Sequence, residues 1–364
     1  MRQPSIPHRQ AAGLVVTASE DATLRVWRLE DGVCLRTLAG QAGAGIRAVV
    51  DVGGGRVACG GHDCLLRVWD VLSGMQLQQT PAGAGAVNCI AALGRSSAAP
   101  QPEGRLPNQR WGDRVATGHL DTGDIRLWGL RSGGGRPAGL QEGVLQGHTG
   151  YVLCLAGVGG CGGGGGGGGF GFLLASASDD RSVRLWDVDA GTCTAALTGH
   201  RSYVSSLAHL GGGLLLSGSA DGALRVWDAP SGACLATVEN ADGERYPIMS
   251  ACPLPGGAAA GSARSAVQRW RWDSGARTLS PDGAALRLDG NWCEALVAVP
   301  PGPASAPQLL LAASANDPVL RVLVDSRSTP PSGRESAGAA LRQQAALGGH
   351  AARIWAIAVL TCGS

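Results

Sequence analysis

The chain has 364 residues, of which 44% are hydrophobic and only 4% aromatic, so valine, leucine and alanine must fill most of its core. Its formal charge of +2 is nearly balanced, which excludes an electrostatic case for nucleic acid or an anionic membrane. Residues 1–13 show no apolar signal-peptide core, and no apolar run reaches the ~18 to 20 residues of a membrane helix. We therefore expect an N-terminal tail at residues 1–13 and an intracellular protein, cytoplasmic or nuclear, that is not secreted.

A short strand-like phrase recurs along the chain. Five copies end in tryptophan, at residues 24–27, 66–69, 125–128, 183–186 and 224–227, and weaker copies follow at 267–270 and 320–323. In most copies an aspartate stands six positions before the tryptophan, as Asp180 does before Trp186. Neighbouring tryptophans lie 42 residues apart at 27 and 69, and 41 apart at 186 and 227. A period of this length predicts stacked β-units that bury their faces on one another.

The unit at residues 199–238 shows the expected pattern within one repeat. Four aliphatic runs, at 203–208, 214–218, 224–227 and 234–238, are separated by glycine and aspartate turns, as in four short antiparallel strands. Insertions at 94–113, 158–171 and 300–307 lengthen other units. Because polar, proline-rich and polyglycine segments cannot pack a core, we expect the insertions at 94–113 and 158–171 to be disordered.

The Gly-His pairs, the turn aspartates and the closing Trp-Asp pairs at 69–70, 186–187 and 227–228 resemble the WD40 repeat family. The resemblance covers almost the whole chain. It implies an all-β fold, a seven-bladed β-propeller of four-stranded antiparallel blades around a central channel, spanning residues 14–360. Blade one begins with residues 14–38, and blades two to seven take 39–80, 81–140, 141–198, 199–238, 239–280 and 281–348.

The two ends of the propeller are expected to meet. Blade one lacks an opening strand, whereas residues 349–360 read as a Gly-His pair and a first strand without a blade of their own. Pairing this segment beside residues 14–38 closes the ring and removes exposed sheet edges. The alternative is that Thr361 begins the second strand of an eighth, truncated blade. Only 7 positions separate Ile354 from Thr361, against 13 between Val204 and Ser217, which favours closure.

Within the family, the Gly-His histidine, a second-strand serine or threonine, the turn aspartate and the tryptophan form a hydrogen-bonded set. By position the sets are His350, Thr17, Asp21 and Trp27 in blade one, His148, Ser176, Asp180 and Trp186 in blade four, and His200, Ser217, Asp221 and Trp227 in blade five. Their Ser-His-Asp content is that of a catalytic triad, but the set repeats between blades and lacks a nucleophile elbow. We therefore expect structural hydrogen bonds and no enzyme.

Other blades depart from this set. Arg264 stands where blade six should have its aspartate, and Leu323 replaces the tryptophan of blade seven. His119, beside Asp121 in blade three, is interpreted as a turn residue. The strand arginines, which occur once per repeat, are expected to serve the fold rather than a binding site.

Metal and cofactor chemistry is not expected. The chain has 11 cysteines without a CxxC pair, and Cys34, Cys193 and Cys234 occupy the same place in three repeats. This indicates reduced structural thiols. No zinc-ligand spacing and no phosphate-binding glycine loop occurs, so no cofactor is predicted.

The resemblance also predicts which rim meets partners. The insertions fall in links between first and second strands, which leaves the opposite rim compact. Two positions there are expected to face a partner, one just before the turn aspartate and one just before the first strand. The candidates are Glu20, His62 and Asp179 at the first, and Tyr151, Tyr203, Tyr246, Trp292 and Arg353 at the second. Tyrosine, tryptophan and arginine are enriched at interface hot spots, although each tyrosine could instead pack over its own blade.

The leading function is a non-catalytic protein–protein interaction scaffold, or an adaptor subunit of a multiprotein complex, that binds peptides or domains on this rim. The alternatives are a substrate receptor of a ubiquitin ligase and, less favoured, an enzyme that uses the propeller channel. No arginine stands just before a turn aspartate, which counts against capture of phosphorylated peptides. Other proteins are the expected partners, and no nucleic acid, membrane or small-molecule substrate is expected.

Overall fold

The protein, seen in a computed structural model, is built from strands and turns throughout the residues that the structure describes. These are residues 13–39, 43–83, 85–94, 111–130, 139–158, 173–239, 246–254, 257–262, 266–288, 292–300, 308–325 and 341–360. They form seven antiparallel sheets, and each sheet except the first is built from strands consecutive in the chain. The predicted all-β, seven-bladed propeller is therefore confirmed.

The first three blades contain strands β1 to β11. Blade one has β1 (Leu14–Ser19), β2 (Thr23–Arg28) and β3 (Val33–Ala39). Blade two has β4 (Ile46–Gly53), β5 (Arg56–Gly61), β6 (Leu65–Asp70) and β7 (Met75–Pro81). Blade three has β8 (Val87–Gly94), β9 (Trp111–His119), β10 (Ile125–Gly129) and β11 (Leu140–Leu145).

The remaining blades contain β12 to β28, and one strand follows them. Blade four has β12 (Val152–Val158), β13 (Leu173–Ser178), β14 (Val183–Asp187) and β15 (Thr192–Leu197). Blade five has β16 (Val204–Gly211), β17 (Leu214–Ser219), β18 (Ala223–Asp228) and β19 (Ala233–Glu239). Blade six has β20 (Ile248–Leu254), β21 (Gly257–Ser262), β22 (Ala266–Asp273), β23 (Thr278–Pro281) and β24 (Leu286–Arg287). Blade seven has β25 (Cys293–Ala298), β26 (Gln308–Ser314), β27 (Val319–Asp325) and β28 (Leu341–Gly348), and β29 is Ile354–Val359.

The C-terminal strand completes blade one. β29 pairs antiparallel with β1, with Val359 opposite Val15 and Ile357 opposite Thr17, and the sheet order is β29-β1-β2-β3. The Leu360 N–H also donates to the Leu14 carbonyl at 3.0 Å. The prediction of ring closure is confirmed, because β29 is the opening strand of blade one. Thr361, on which the eighth-blade alternative depended, lies outside the described residues.

The opening strands of successive blades form the inner wall of the ring. β29, β4, β8, β12, β16, β20 and β25 each contact the next, and β25 contacts β29. In each blade the later strands follow outward from this first strand. The seven first strands therefore lie nearest the central axis, and their ends determine what the channel mouth presents.

Each tryptophan that ends the repeated phrase packs against the preceding blade. Trp186 of blade four packs in one cluster with Ile125 and Leu127 of blade three. Trp27 of blade one packs with Leu320 and Val322 of blade seven, on the far side of the closure. Burying such a ring removes ~150–250 Å² from water, which at ~25 cal/mol per Å² stabilises the fold by up to about 4–6 kcal/mol. This explains why a chain poor in aromatic residues keeps the tryptophan of the repeated phrase in six of its seven repeats.

Some predicted boundaries differ from the structure. Trp111 already lies in β9, so the strand begins inside the predicted insertion 94–113, whose residues 95–110 lie outside the described ranges. The insertion 158–171 begins on the last residue of β12 and otherwise lies outside them as well. The last strand of blade three extends to Leu145, past the predicted limit of 140, because residues 131–138 separate it from β10. In blade six the fourth position is divided between β23 and β24, which pair with different parts of β22.

Candidate protein-binding rim

The four predicted residues of blade four form a continuous hydrogen-bonded chain. Trp186 Nε1 donates to Ser176 Oγ at 2.8 Å, and His148 Nε2 lies 2.7 Å from the same oxygen. His148 Nδ1 lies 2.7 Å from Asp180 Oδ2. A consistent assignment has Nδ1–H donating to the carboxylate and Nε2 accepting from the serine hydroxyl. This satisfies buried polar groups and ties β13 and β14 to the turn and the incoming loop.

Blades one and five repeat this arrangement. In blade one His350 Nε2 lies 2.7 Å from Thr17 Oγ1, His350 Nδ1 lies 3.0 Å from Asp21 Oδ2, and Trp27 Nε1 donates to Thr17 at 2.8 Å. In blade five the distances are 2.8 Å from His200 to Ser217, 3.1 Å from His200 to Asp221 and 2.8 Å from Trp227 to Ser217. The hydroxyl-bearing residues in all three blades are 0% exposed, so a substrate has no access to them.

Burial determines the protonation of these sets. It lowers the pKa of His148, His200 and His350, and this outweighs the neighbouring aspartates, which raise it. Burial alone would raise the pKa of Asp180, but hydrogen bonds from Ser182 and His148 outweigh it and leave that pKa below its usual value. Near neutral pH each set therefore holds a neutral imidazole against a carboxylate.

Blade three has a version of the set that the sequence analysis missed. His119 is the last residue of β9 and is fully buried, so its interpretation as a turn residue is wrong. Its Nε2 lies 2.9 Å from Thr117 Oγ1, which also accepts from Trp128 Nε1 at 2.9 Å. Its Nδ1 lies 3.3 Å from the Gly85 carbonyl. The histidine comes from the strand itself, two residues after the threonine, and this local Thr-x-His spacing was the available signal.

Blades two and seven use an arginine in place of the histidine. In blade two Arg67 pairs with the turn residue Asp63, and in blade seven Arg321 lies 2.6 Å from Asp317. Blade two also replaces the hydroxyl with the buried thiol of Cys59, whose pKa burial raises to about 12. In these two blades the strand arginines therefore hold the turn, in agreement with a role in the fold.

The two predicted partner-facing positions lie side by side. In five blades the N–H of the residue before the turn aspartate donates to the carbonyl of the residue before the first strand. The pairs are Glu20 to Arg353 at 3.0 Å, His62 to Gly45 at 3.1 Å, Leu120 to Ala86 at 3.1 Å, Asp179 to Tyr151 at 3.0 Å and Ala220 to Tyr203 at 3.0 Å. We call the surface formed by these ten residues, with Ala315 and Trp292 of blade seven, the turn-side rim.

Blade seven and blade six each shift one position. In blade seven Asn316 immediately precedes the turn residue Asp317, but it is the N–H of Ala315 that donates to the Trp292 carbonyl at 2.7 Å. The reason is that this turn holds one more residue than the turn of blade one. In blade six Pro247 immediately precedes β20, so Tyr246 stands one residue earlier than Tyr151 and Tyr203 do in their blades. The three tyrosines are therefore not equivalent in register.

The rim is uneven in size and exposure. Tyr151 is 47% exposed and Trp292 is 38% exposed, whereas Tyr203, Tyr246 and Arg353 are half-buried. Blades two and three carry the small residues Gly45 and Ala86 at the same position. The other predicted contacts, Glu20, His62 and Asp179, are exposed. The rim therefore presents large exposed side chains on blades four and seven and small residues at the same position on blades two and three.

A charged and aromatic cluster lies at the blade one to blade two side of this rim. The Arg353 guanidinium lies over the Trp355 ring, 3.8 Å from its centroid, and the Arg47 guanidinium lies over the same ring at 4.0 Å. Arg353 also donates to both carboxylate oxygens of Glu20, at 3.0 and 3.3 Å. Arg47 and Trp355 were missed as site residues. The available signal was that both occupy the second position of a first strand, in neighbouring blades.

The sequence profile described as "WD domain, G-beta repeat" matches residues 32–70, 139–187 and 191–228. The chain is a WD40-repeat β-propeller. The solved structure of the WD40 repeats of RRP9 superimposes with a TM-score of 0.65 at 18% identity, covering 86% of this chain and 88% of that one. At this identity the likeness shows the fold alone.

Curated relatives match parts of the propeller. The sterol regulatory element-binding protein cleavage-activating protein of Xenopus laevis is 42% identical over 76 residues, 21% of this chain and 6% of the relative. The F-box/WD repeat-containing protein sel-10 of Caenorhabditis elegans is 36% identical over 98 residues, 27% of this chain and 14% of the relative. The nuclear distribution protein PAC1-2 of Uncinocarpus reesii is 28% identical over 206 residues, 54% of this chain and 41% of the relative. The matches thus span less than half of each relative.

These comparisons support a general role for the WD40 propeller in protein–protein interaction. Its fold is one whose members are typically non-catalytic interaction proteins. Within the described ranges no three histidine, cysteine, aspartate or glutamate side chains are grouped so that they could hold a metal ion. The same part of the chain contains no helix with the length and apolar character to cross a membrane.

Proposed function

We propose that this propeller is a non-catalytic scaffold or adaptor subunit that binds a peptide or domain of another protein on its turn-side rim. The observation that carries the proposal is the exposure of Tyr151 and Trp292 on this rim. Both are large side chains of hot-spot type, and water reaches a good part of each. Backbone hydrogen bonds hold their strand ends in place, so they present a pre-organised surface.

The rim also contains exposed polar side chains. Glu20 and His62 lie on blades one and two, and Asp179 lies beside Tyr151 on blade four. Polar residues next to aromatic anchors are the usual composition of a protein interface. By contrast, the repeated Ser-His-Asp sets are buried, which supports an interaction surface rather than an enzyme active site.

Partner capture from native lysate tests this function. The variant Tyr151→Ala/Tyr203→Ala/Tyr246→Ala is compared with wild type after circular dichroism shows that both are folded. We expect specific bound proteins to be lost. Met75→Ala/Leu77→Ala serves as the control, because these side chains are 63% and 51% exposed on the outer strand β7. Unchanged capture by the tyrosine variant would show that the rim is not the binding face.

A substrate receptor of a ubiquitin ligase is the second candidate. The partial match to an F-box/WD repeat-containing protein favours it, although that match spans 14% of the relative. Under this candidate the captured proteins include ligase subunits, and a bound substrate becomes ubiquitinated when the ligase is reconstituted. Their absence from all captured material would leave the adaptor role alone.

A further inference from the structure

The two arginines on Trp355 differ in their partners. Arg353 is already paired, since its guanidinium donates to both oxygens of Glu20. Arg47 donates from Nε to Asn88 Oδ1 at 2.9 Å, and among the described residues its Nη1 and Nη2 amines have no hydrogen-bond acceptor. The end of the Arg47 guanidinium that could bind an anion with two parallel hydrogen bonds is therefore free.

The partial burial of Arg47 makes it unfavourable to leave its guanidinium without a bound anion. The side chain is half-buried, and burial lowers the pKa of Arg47, with the nearby charge of Arg353 acting in the same direction. A desolvated cation without a close anion gains more from an incoming oxyanion than an exposed cation does. Trp355 and Asn88 hold the guanidinium in place, so little side-chain entropy remains to be lost on binding.

The turn-side rim carries small residues next to Arg47. Gly45 stands two residues before Arg47, at the position that carries Tyr151 in blade four and Trp292 in blade seven. Ala86 stands at the same position in the next blade. Gly45 packs against Glu20, and neither Gly45 nor Ala86 has a side chain long enough to cover Arg47. A partner side chain can therefore reach the second position of these first strands from the rim.

The charges around Arg47 select among anions. Glu20 and Glu294 both act on the Arg47 guanidinium electrostatically, and Glu294 accepts from Trp292 Nε1 at 2.9 Å. Both carboxylates repel an incoming anion, and they repel a dianionic phosphate more strongly than a singly charged carboxylate. The surroundings therefore favour a carboxylate over a phosphorylated side chain.

We infer that Arg47 anchors a single aspartate or glutamate side chain of the partner peptide, held by two hydrogen bonds from Nη1 and Nη2 at the channel mouth between blades one and two. The inference rests on the proposed function, because it names the chemistry of a ligand on the same rim. Tyr151 and Trp292 then supply apolar contact area, and Arg47 supplies the selectivity for an acidic residue.

The test uses a phage-displayed library of 12-residue peptides selected on the wild-type protein. Selected sequences should share an aspartate or glutamate at one position. A synthetic peptide from this set is then measured by fluorescence anisotropy, together with its versions carrying glutamine or phosphoserine at that position. We expect the glutamine and phosphoserine versions to bind about tenfold or more weakly, which is the usual scale for losing a charge-assisted pair.

Variants of the protein complete a double-mutant cycle. Arg47→Met should weaken the acidic peptide about tenfold and leave the glutamine peptide unchanged, whereas Arg47→Lys should restore part of the affinity. Arg201→Met is the matched control, because this arginine of blade five is 65% exposed and lies 3.9 Å from Glu239. Thermal unfolding of all three variants shows whether the fold is kept, and Arg47→Lys serves as the readout if Arg47→Met is unfolded.

Three results would overturn the inference. Selected peptides without a shared acidic residue, but sensitive to the tyrosine variant, would keep the rim as the binding face and remove Arg47 as its anchor. Tighter binding of the phosphoserine peptide would replace the carboxylate by a phosphate. Failure to select any peptide, together with unchanged lysate capture by the tyrosine variant, would remove the anchor and the proposed rim at once.

Discussion

Blades four and five reach the same strand geometry as blades two and seven through different polar links. In blades four and five a buried histidine joins a serine hydroxyl to the turn aspartate. In blades two and seven an arginine two residues before the end of the repeated phrase reaches the aspartate instead. The comparison shows that the apolar strand pattern determines the blade. The polar link only has to supply a hydrogen bond or an ion pair to the turn aspartate, and either histidine or arginine can do so.

The largest expected effect comes from the side chain that joins neighbouring blades. Trp186→Ala should lower the free energy of unfolding by about 3–5 kcal/mol, because it leaves a cavity between blades three and four and removes the hydrogen bond to Ser176. Leu323→Ala, at the same position of blade seven, should cost less because a smaller side chain is lost. Urea unfolding measures both, with exposed Met75→Ala as the control near zero. Equal losses at the two sites would contradict a special role for the ring.

The next largest effect concerns the hydroxyl at the centre of the hydrogen-bonded set, which blade two replaces with a thiol. Ser176→Ala leaves the buried Trp186 N–H and His148 Nε2 without their shared partner, and should cost about 1–3 kcal/mol. Cys59→Ala at the corresponding place in blade two should cost less, because a thiol is a weak hydrogen-bonding group. Both are measured by urea unfolding. A larger loss at Cys59 would show that packing, and not the polar link, decides this position.

A smaller difference in stability is expected between the strand arginine of a blade without the histidine set and that of a blade with it. Arg67→Met should lower the free energy of unfolding by about 1–2 kcal/mol, because it removes the ion pair between Arg67 and Asp63. Arg184→Met in blade four should cost less, since Asp180 there is already bonded to His148 and Ser182. Thermal unfolding at low and high salt measures the difference. An equal loss in both blades would mean that the arginines act by packing of their stems.

The smallest effect is the pH dependence of the histidine blades. The folded pKa of His200 lies below its ordinary value of 6.5, so below that pH the unfolded chain binds more protons and stability falls as the pH falls. His200→Gln should therefore make the decline of Tm between pH 8 and pH 5 shallower. Arg67→Met, which alters a blade without this histidine, should leave the slope unchanged. A steeper slope in His200→Gln would contradict a neutral buried imidazole.

Spacing along the chain predicted the repeated elements well and the exceptions poorly. The three complete histidine sets occur where a Gly-His pair precedes the first strand of the blade, at residues 147–148, 199–200 and 349–350. His119 escaped because its strand supplies the histidine directly, and Tyr246 was placed in register with Tyr203 although Pro247 intervenes. Arg47 and Trp355 escaped because their contact joins blade two to the C-terminal strand. A residue count cannot anticipate a bulge, an extra turn residue or a neighbour from the far end of the chain.

The sequence by itself determined the all-β class, the number of blades and the pairing of the C-terminal strand with blade one, because each repeat carries its own strand and turn pattern and an unpaired edge is unfavourable. Only the tertiary structure decided what the channel mouth presents. Ring closure brings Glu20 to Arg353 across 333 residues and places Trp355 beside Arg47. Such contacts depend on the rotation of one blade relative to the next, which packing of the shared cores sets and local sequence does not encode.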